Sequence, residues 1–468
     1  MKYIFTLFAF LIILNTGCKN DTSRNPTDLQ GGTSNTTAVE NKRALPAWAS
    51  NSNIYEVNIR QYTPEGTFAS FARHIPRLKQ MGVDILWFMP IFPISESKKK
   101  GTLGSYYAVS DFRETNPEFG TKDDFQNVID QAHRHGMKVI VDWVPNHTGW
   151  DHVWIKSNPE FYTQDKDGNI IDPIDPGTGE SWGWTDVADL NYDNNDMRKQ
   201  MIADMVYWIE KHQIDGFRMD VAHNVPNDFW KQASDQLFAA NDSIFMLAES
   251  ETVDHLNNGY FHAIYGWGMH HLLNDIAKGT KNANSIDSLL AIKKGEITQG
   301  MYMYFITNHD ENSWAGTVEE RMGDAGDALA VLVTTFDGIP LIYGGQEEPL
   351  NKRLEFFEKD DIGFKNFEKI KFFKTLLTLK NRNKALGNGS YSSPIIKLGD
   401  SEHIYAFMKE KEGDKVAVMV NLSNEKQQIR LSQAVTGLTN LFDGRKVEMG
   451  PGTIKSFDPW EYWVASNK

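Results

Sequence analysis

From residue 53 onward the chain alternates short apolar runs with longer stretches whose apolar residues recur at helical spacing. Such alternation predicts parallel strands joined by crossover helices. Eight runs read as strands: 54–59, 83–88, 138–143, 214–220, 244–249, 260–265, 301–307 and 339–343. Helices fall between them. Thr121-Lys122-Asp123-Asp124 predicts a capped helix start, and Gly136 after His135 predicts its end. The stretch 196–213 predicts another helix, with Met201, Met205, Trp208 and Ile209 along one buried face.

Eight strand–helix units close most economically into an α/β fold, a (β/α)8 TIM barrel, because a closed sheet leaves no edge exposed. An open doubly wound sheet is the alternative. Against it, no Gly-x-Gly-x-x-Gly follows the first strand, so a dinucleotide would lack its phosphate cradle. After the third strand the connection runs for about fifty residues rich in Asp, Gly, Pro and Trp, well beyond ordinary loop length. It predicts a small inserted domain at about 148–194, at the strand end where barrels build their sites. Past residue 386 the pattern turns to period two, as in 403–409 and 415–421, with Glu412-Gly413-Asp414 as a hairpin turn between them. The predicted order is therefore a catalytic barrel at 51–385 and a C-terminal antiparallel β-sandwich domain at 386–468.

Of the 468 residues 40% are hydrophobic, enough for a large core. A net charge of −14, with no basic run beyond 98–100, argues against a nucleic-acid partner and suits a neutral substrate. Cys18 is the only cysteine, which excludes an internal disulfide and a thiolate metal cluster. Met1-Lys2, an apolar run at 3–14 and Asn15-Thr16-Gly17-Cys18 have the shape of an export signal over 1–17. The stretch resembles a bacterial lipoprotein signal, a plain secretory signal being the alternative. A lipid on Cys18 would then be the sole membrane contact, with 18–50 as a polar tether and the protein facing the periplasm or the cell surface.

Polar residues cluster where buried strands give no structural reason for them. The third strand ends in Asp142-Trp143-Val144-Pro145-Asn146-His147, the fourth in Arg218-Met219-Asp220, the fifth in Glu249 and the seventh in Asn308-His309-Asp310. In a barrel these ends converge on one mouth. Three acids there suit glycosidic bond cleavage, which in its retaining form needs a carboxylate nucleophile and a protonated carboxyl about 5 to 5.5 Å apart. Arg218 beside Asp220 predicts that Asp220 is ionised. The apolar run Phe245-Met246-Leu247-Ala248 predicts a desolvated Glu249 that keeps its proton.

With these segments in view, the chain resembles the alpha-amylase family, glycoside hydrolase family 13. The resemblance rests on 142–147 (DWVPNH), 216–220 (GFRMD), Glu249 and 305–310 (FITNHD), supported by 82–90, 187–191 and 338–347, all in the family's order. It implies Asp220 as nucleophile, Glu249 as acid/base and Asp310 as the carboxylate that grips sugar hydroxyls. It further implies that His147 and His309 bind the sugar, Arg218 positions Asp220, Asp142 supports the site and Tyr107 stacks on a sugar face. The expected substrate is a starch-derived α-glucan. A cyclodextrin- or pullulan-degrading enzyme, a trehalose-forming transglycosylase and an inactive sugar-binding homologue are the alternatives. His223 and Asn224 stand where typical endo-acting members carry Lys and His, a departure that counts against strict long-chain specificity.

The resemblance calls for no cofactor beyond a calcium ion, for which Asn146 and Asp189 match positions that bind it in many relatives. Asp165-Lys166-Asp167-Gly168-Asn169 lacks the bidentate Glu of a calcium loop and reads as a surface turn. Trp150, Trp182, Trp184 and Trp267 are candidates for a glucan-stacking platform or for the small core of the insert.

Overall fold

The computed structural model describes residues 43–468 apart from Pro176 and the side chain of Lys294. The expected signal, Cys18 and the tether up to residue 42 lie outside the described residues. Eight parallel strands form the barrel: β1 Ile54–Val57, β2 Ile85–Phe88, β3 Lys138–Trp143, β4 Gly216–Met219, β5 Phe245–Ala248, β6 Ala263–Tyr265, β7 Met301–Tyr304 and β8 Ile339–Tyr343. Neighbours follow the ring β1-β8-β7-β6-β5-β4-β3-β2, and β2 pairs back onto β1 with Ile54 opposite Ile85. The closed barrel therefore holds and the open sheet does not.

Strand parity sorts the side chains. Ile54, Ile85, Ile140, Leu247, Met303 and Leu341 point inward and fill the barrel, while alternate residues such as Tyr55, Leu86, Val139 and Met246 pack outward against the helices. The end of the expected tether is not loose. Trp48 donates its indole N–H to Ser243 O at 2.9 Å, and Ala49 joins the barrel's interior core next to Ile54, so residues 43–50 pack under the barrel.

Four of the eight strands, β1, β4, β5 and β7, stop earlier than the apolar runs suggest, because pairing ends where chains diverge at the mouth. Asp220, Glu249 and the segment from Phe305 to Asp310 consequently sit just beyond β4, β5 and β7. The helix Lys122–Arg134 opens with the expected capping box at Thr121, and Gly136 follows its end at φ 68°. The helix Asn195–His212 buries Met201, Met205, Trp208 and Ile209.

In the insert, His147–Gly149 pairs antiparallel with Val187–Asp189. Asp165 accepts the backbone N–H groups of Asp167 and Asn169, which makes the expected surface turn. Two further long connections went unanticipated, 89–121 after β2 and 344–369 after β8, and the first carries Tyr107.

The C-terminal antiparallel β domain contains a six-stranded sheet that includes the hairpin Ile404–Lys411 and Asp414–Asn421, with Glu412 and Gly413 both at positive φ in its turn. One face, with Tyr405, Phe407 and Val418, merges into the core around the barrel. The other face, with Ala406 and Met419, packs on a two-stranded sheet of Gln427–Arg430 and Ile454–Phe457. The described residues, 43–468, belong to one compact unit.

Candidate active site

Inward parity is broken by charge at three strand positions: Glu56 in β1, Asp142 in β3 and Arg218 in β4, all fully buried. Arg218 is the centre. Its Nη1 donates to Asp142 Oδ1 and to Asp220 Oδ1, both at 2.8 Å, and its Nη2 lies 3.0 Å from Glu249 Oε2. Its Nε donates to the Tyr265 hydroxyl at 3.1 Å. One guanidinium thus spans the two carboxyls expected to do the chemistry. Asp142 is fully engaged, since its second oxygen accepts from Tyr107 at 3.1 Å and from the Trp87 indole at 3.2 Å. It has no oxygen left for a sugar, and its part is to fix Arg218 and Tyr107.

Across the mouth, the Tyr107 hydroxyl is 2.9 Å from His309 Nε2, and its ring stacks on the imidazole. His309 Nδ1 lies 2.5 Å from Glu56 Oε1, and its Nε2 is 3.3 Å from Asp310 Oδ2. Burial opposes a charge on His309, yet Asp310 and Glu56 outweigh it and raise its pKa to about 9. The imidazolium is therefore a cation at neutral pH. Asp310 keeps 38% of its side chain exposed, the most open of the three acids, and begins a single π-turn, Glu311–Ala315. His147 is different. Burial pushes its pKa down to about 4, so it stays neutral, and its ring meets Asn146 at 3.1 Å and the edge of Trp184. It makes no hydrogen bond to the carboxylate cluster.

Burial and neighbouring charges shift the two carboxyls in directions opposite to those expected. Burial pushes Asp220 well above the usual carboxylate range; Arg218 pulls it down, but the charges of Glu249 and Asp142 add to the rise. Burial also pushes Glu249 up, but Arg218 and the Val221 N–H, which donates to Glu249 Oε2 at 2.8 Å, bring it below its ordinary value. The apolar run before Glu249 is adjacent in sequence only. Phe245 and Leu247 point into the barrel and Met246 and Ala248 toward the helices, while Glu249 projects into a polar mouth. The cluster holds more carboxylates than cations, and a proton is retained among them.

Val221 holds φ at 43°, a left-handed conformation that a β-branched residue adopts only under strain. That backbone kink directs its N–H at Glu249. Sequence reasoning missed four contributors: Glu56, Trp87, Tyr265 and the Val221 backbone. Glu56 had a signal, a lone carboxylate inside an otherwise apolar strand. The others had none, because Trp and Tyr in a strand read as core.

Asn146 and Asp189 sit on adjoining segments of the insert, with Leu190 N donating to Asn146 O at 3.2 Å. Burial raises Asp189 to about 6, a carboxylate short of a counter-charge. Two oxygen-bearing side chains are far from the six to eight oxygens that calcium takes, and among the described residues no cluster of three or more His, Cys, Asp or Glu surrounds them. Asn146 and Asp189 would have to be joined by backbone carbonyls and water to hold the ion.

Carboxylates sharing a single cation at the strand ends of a barrel are arranged for acid/base work on a glycosidic oxygen. The class that fold and site define is the glycosidases, which act on O-glycosyl bonds. Within it the chain belongs to the alpha-amylase family: residues 36–371 match the alpha amylase catalytic domain. Alpha-amylase MalA of Haloarcula japonica is 26% identical over 418 residues, covering 85% of this chain. The chain spans 59% of the length of that relative. Among solved structures, a noncanonic maltogenic alpha-amylase from Thermotoga neapolitana superposes with a TM-score of 0.79 at 26% identity, covering 89% of this chain and 98% of that one. An alpha-amylase from Lactobacillus plantarum gives 0.77 at 28% identity, covering 90% and 99%.

Proposed function

We propose that the protein hydrolyses α-1,4 bonds of starch-derived glucans with retention of configuration, through a glycosyl ester on Asp220. The observation that carries this reading is the single guanidinium of Arg218 reaching both Asp220 and Glu249. Asp220 Oδ1 is held by Arg218, which leaves Oδ2 to attack the anomeric carbon. Glu249 Oε2 is held by the Val221 N–H, which leaves Oε1 to face the glycosidic oxygen.

As the bond from Asp220 to the anomeric carbon forms, the bond to the leaving oxygen breaks and that oxygen takes a proton from Glu249. Substrate entry must therefore bring the retained proton to Glu249. Once Asp220 is esterified its negative charge is gone, so Glu249 loses a repelling neighbour and its pKa falls. It is then suited to take a proton from the water that cleaves the ester. Asp310 grips sugar hydroxyls from the opposite wall, and the charged His309 supports the electron-rich oxygens around it.

Proton NMR of maltoheptaose hydrolysis is expected to show the α-anomer first, and Asp220→Asn is expected to lose about 10⁴-fold or more in kcat. A β-anomer formed first, or wild-type turnover by Asp220→Asn, would refute the reading. A cyclodextrin- or pullulan-degrading activity is the second reading, favoured by His223, an exposed residue whose Nδ1 lies 3.5 Å from Glu249 O. A product profile on starch, pullulan and cyclodextrin separates the two.

Export with a lipid on Cys18 is part of the same proposal. It is supported by the apolar run before that residue and is tested by detergent-phase partitioning of wild-type and Cys18→Ala protein.

A further inference from the structure

Of the four tryptophans that the sequence offers as a glucan platform, two are already occupied. Lys98 Nζ sits 3.1 Å from the ring centroid of Trp150, and the indole N–H of Trp150 donates to Thr185 O. Trp267 packs against Tyr265, Phe305 and His271. Trp182 and Trp184 are different. They stack at 5.9 Å with 21° between planes, and Trp182 is 41% exposed. Gly183 between them holds φ at 78°, and the loop is tied down by an ion pair from Lys100 to Asp186 at 2.7 Å. Trp184 in turn meets His147, just past the end of β3.

A second aromatic run leaves the site from the other side. Tyr107 stacks on Phe356 at 6.3 Å with 11° between planes, and Phe356 lies 5.3 Å from Trp314, which is 53% exposed. Trp314 belongs to the π-turn that begins at Asp310, beyond β7. In the ring β1-β8-β7-β6-β5-β4-β3-β2, strands β3 and β7 are four places apart in either direction, so the two runs are rooted on opposite walls of the mouth.

We infer that Trp182 and Trp314 are outer sugar-binding positions on opposite walls of the mouth, and that the enzyme is built for linear glucans long enough to reach both. A rigid, exposed indole ring offers a flat apolar face on which the C–H face of a glucose unit can stack. The rings on each wall form an unbroken series down to Tyr107 or His147, so a chain stacked on the outer ring leads directly to the carboxylates. Two sugar units flank the broken bond, and reaching both tryptophans takes at least one more on each wall. The preferred substrates are therefore longer than maltotriose. This inference rests on the glucan-hydrolase reading and deepens it.

The test is the ratio of kcat/KM for maltoheptaose to that for maltotriose, measured in wild type, Trp182→Ala, Trp314→Ala and the double variant. Each single change is expected to lower the ratio about tenfold, with Trp314→Phe recovering most of it, because a ring of any kind stacks. Taking the ratio within one protein cancels any loss of folded enzyme. In the Asp220→Asn background, maltoheptaose is expected to quench indole fluorescence, and the double variant to lose that quench. A wild-type ratio in all three alanine variants would overturn the inference while leaving the hydrolase reading intact. A wild type that cleaves neither oligosaccharide would instead defeat the hydrolase reading, and this inference with it.

Discussion

His309 Nδ1 lies 2.5 Å from Glu56 Oε1, joining the first barrel strand to the loop beyond the seventh. With Asp310 on its other nitrogen, the imidazole is held protonated up to about pH 9 against an ordinary value of 6.5, although burial opposes it. A raised histidine pKa contributes stability in full below pH 6.5, and that contribution is lost as the pH climbs through about 9. Glu56→Gln removes one of the two carboxylates that hold the proton. The alkaline limb of kcat/KM against pH is therefore expected to move to lower pH. An unmoved limb would show that Glu56 does not set the charge of His309.

Arg218 is the only guanidinium in hydrogen-bond or ion-pair contact with Asp142, Asp220 and Glu249 among the described residues. Its replacement by Met leaves buried carboxylates without their cation, which costs about 3–5 kcal/mol at pH 7. The loss is expected to shrink near pH 5, because Asp142, already raised to about 6 chiefly by burial, takes up a proton there. Urea unfolding of wild type and Arg218→Met at both pH values measures this. An equal penalty at both would contradict it.

Four fully buried histidines tilt the stability of the whole fold toward neutral pH. Burial lowers His147, His255 and His262 to about 4 and His152 to about 3. The unfolded chain binds these protons near 6.5, so the stabilisation is complete above that value and is lost as the pH falls toward 4. Asp84, Asp142 and Asp189, raised to about 6 by burial, and Asp220, raised well above the usual carboxylate range, act in the opposite sense. Carboxylates held below their ordinary value against burial, such as Glu311 beside His270 and Glu348 under three backbone N–H groups, act with the histidines. The thermal midpoint is expected to fall steadily between pH 6.5 and 4. A midpoint that rises over this range would mean the carboxylates dominate.

Val221 carries backbone strain at the point where its N–H holds Glu249. Glycine adopts φ near 43° without that strain. Relief of about 1–3 kcal/mol then exceeds the 0.5–1 kcal/mol that glycine's added chain entropy costs. Val221→Gly is expected to raise the thermal midpoint and to keep the donor to Glu249, and Val221→Pro, which lacks the N–H, to lose activity. A lower midpoint in the glycine variant would place the strain elsewhere.

The eight strands, the insert and the C-terminal sheet were legible because hydrophobic period and turn chemistry are local. Asp142, Arg218, Asp220 and Glu249 were legible for the same reason, as charges at the ends of apolar runs. Glu56 was open to view but carried no partner until the barrel closed and brought His309 to it. Tyr107 was found through the resemblance, whereas the length of the connection that carries it was not. That connection, 89–121, carries apolar residues such as Phe92, Tyr106 and Phe112 that pack into the core without forming a helix or strand of their own.

The order of residues by itself determined which side chains point into the barrel and which charges ride at its rim, since strand parity is a property of neighbours along the chain. Only the folded molecule decided in which direction each carboxyl shifts. Burial raises Glu249, and Arg218 and the Val221 N–H, on the neighbouring strand and just beyond its end, together outweigh it. A field acts through space, and only the closed barrel sets those distances.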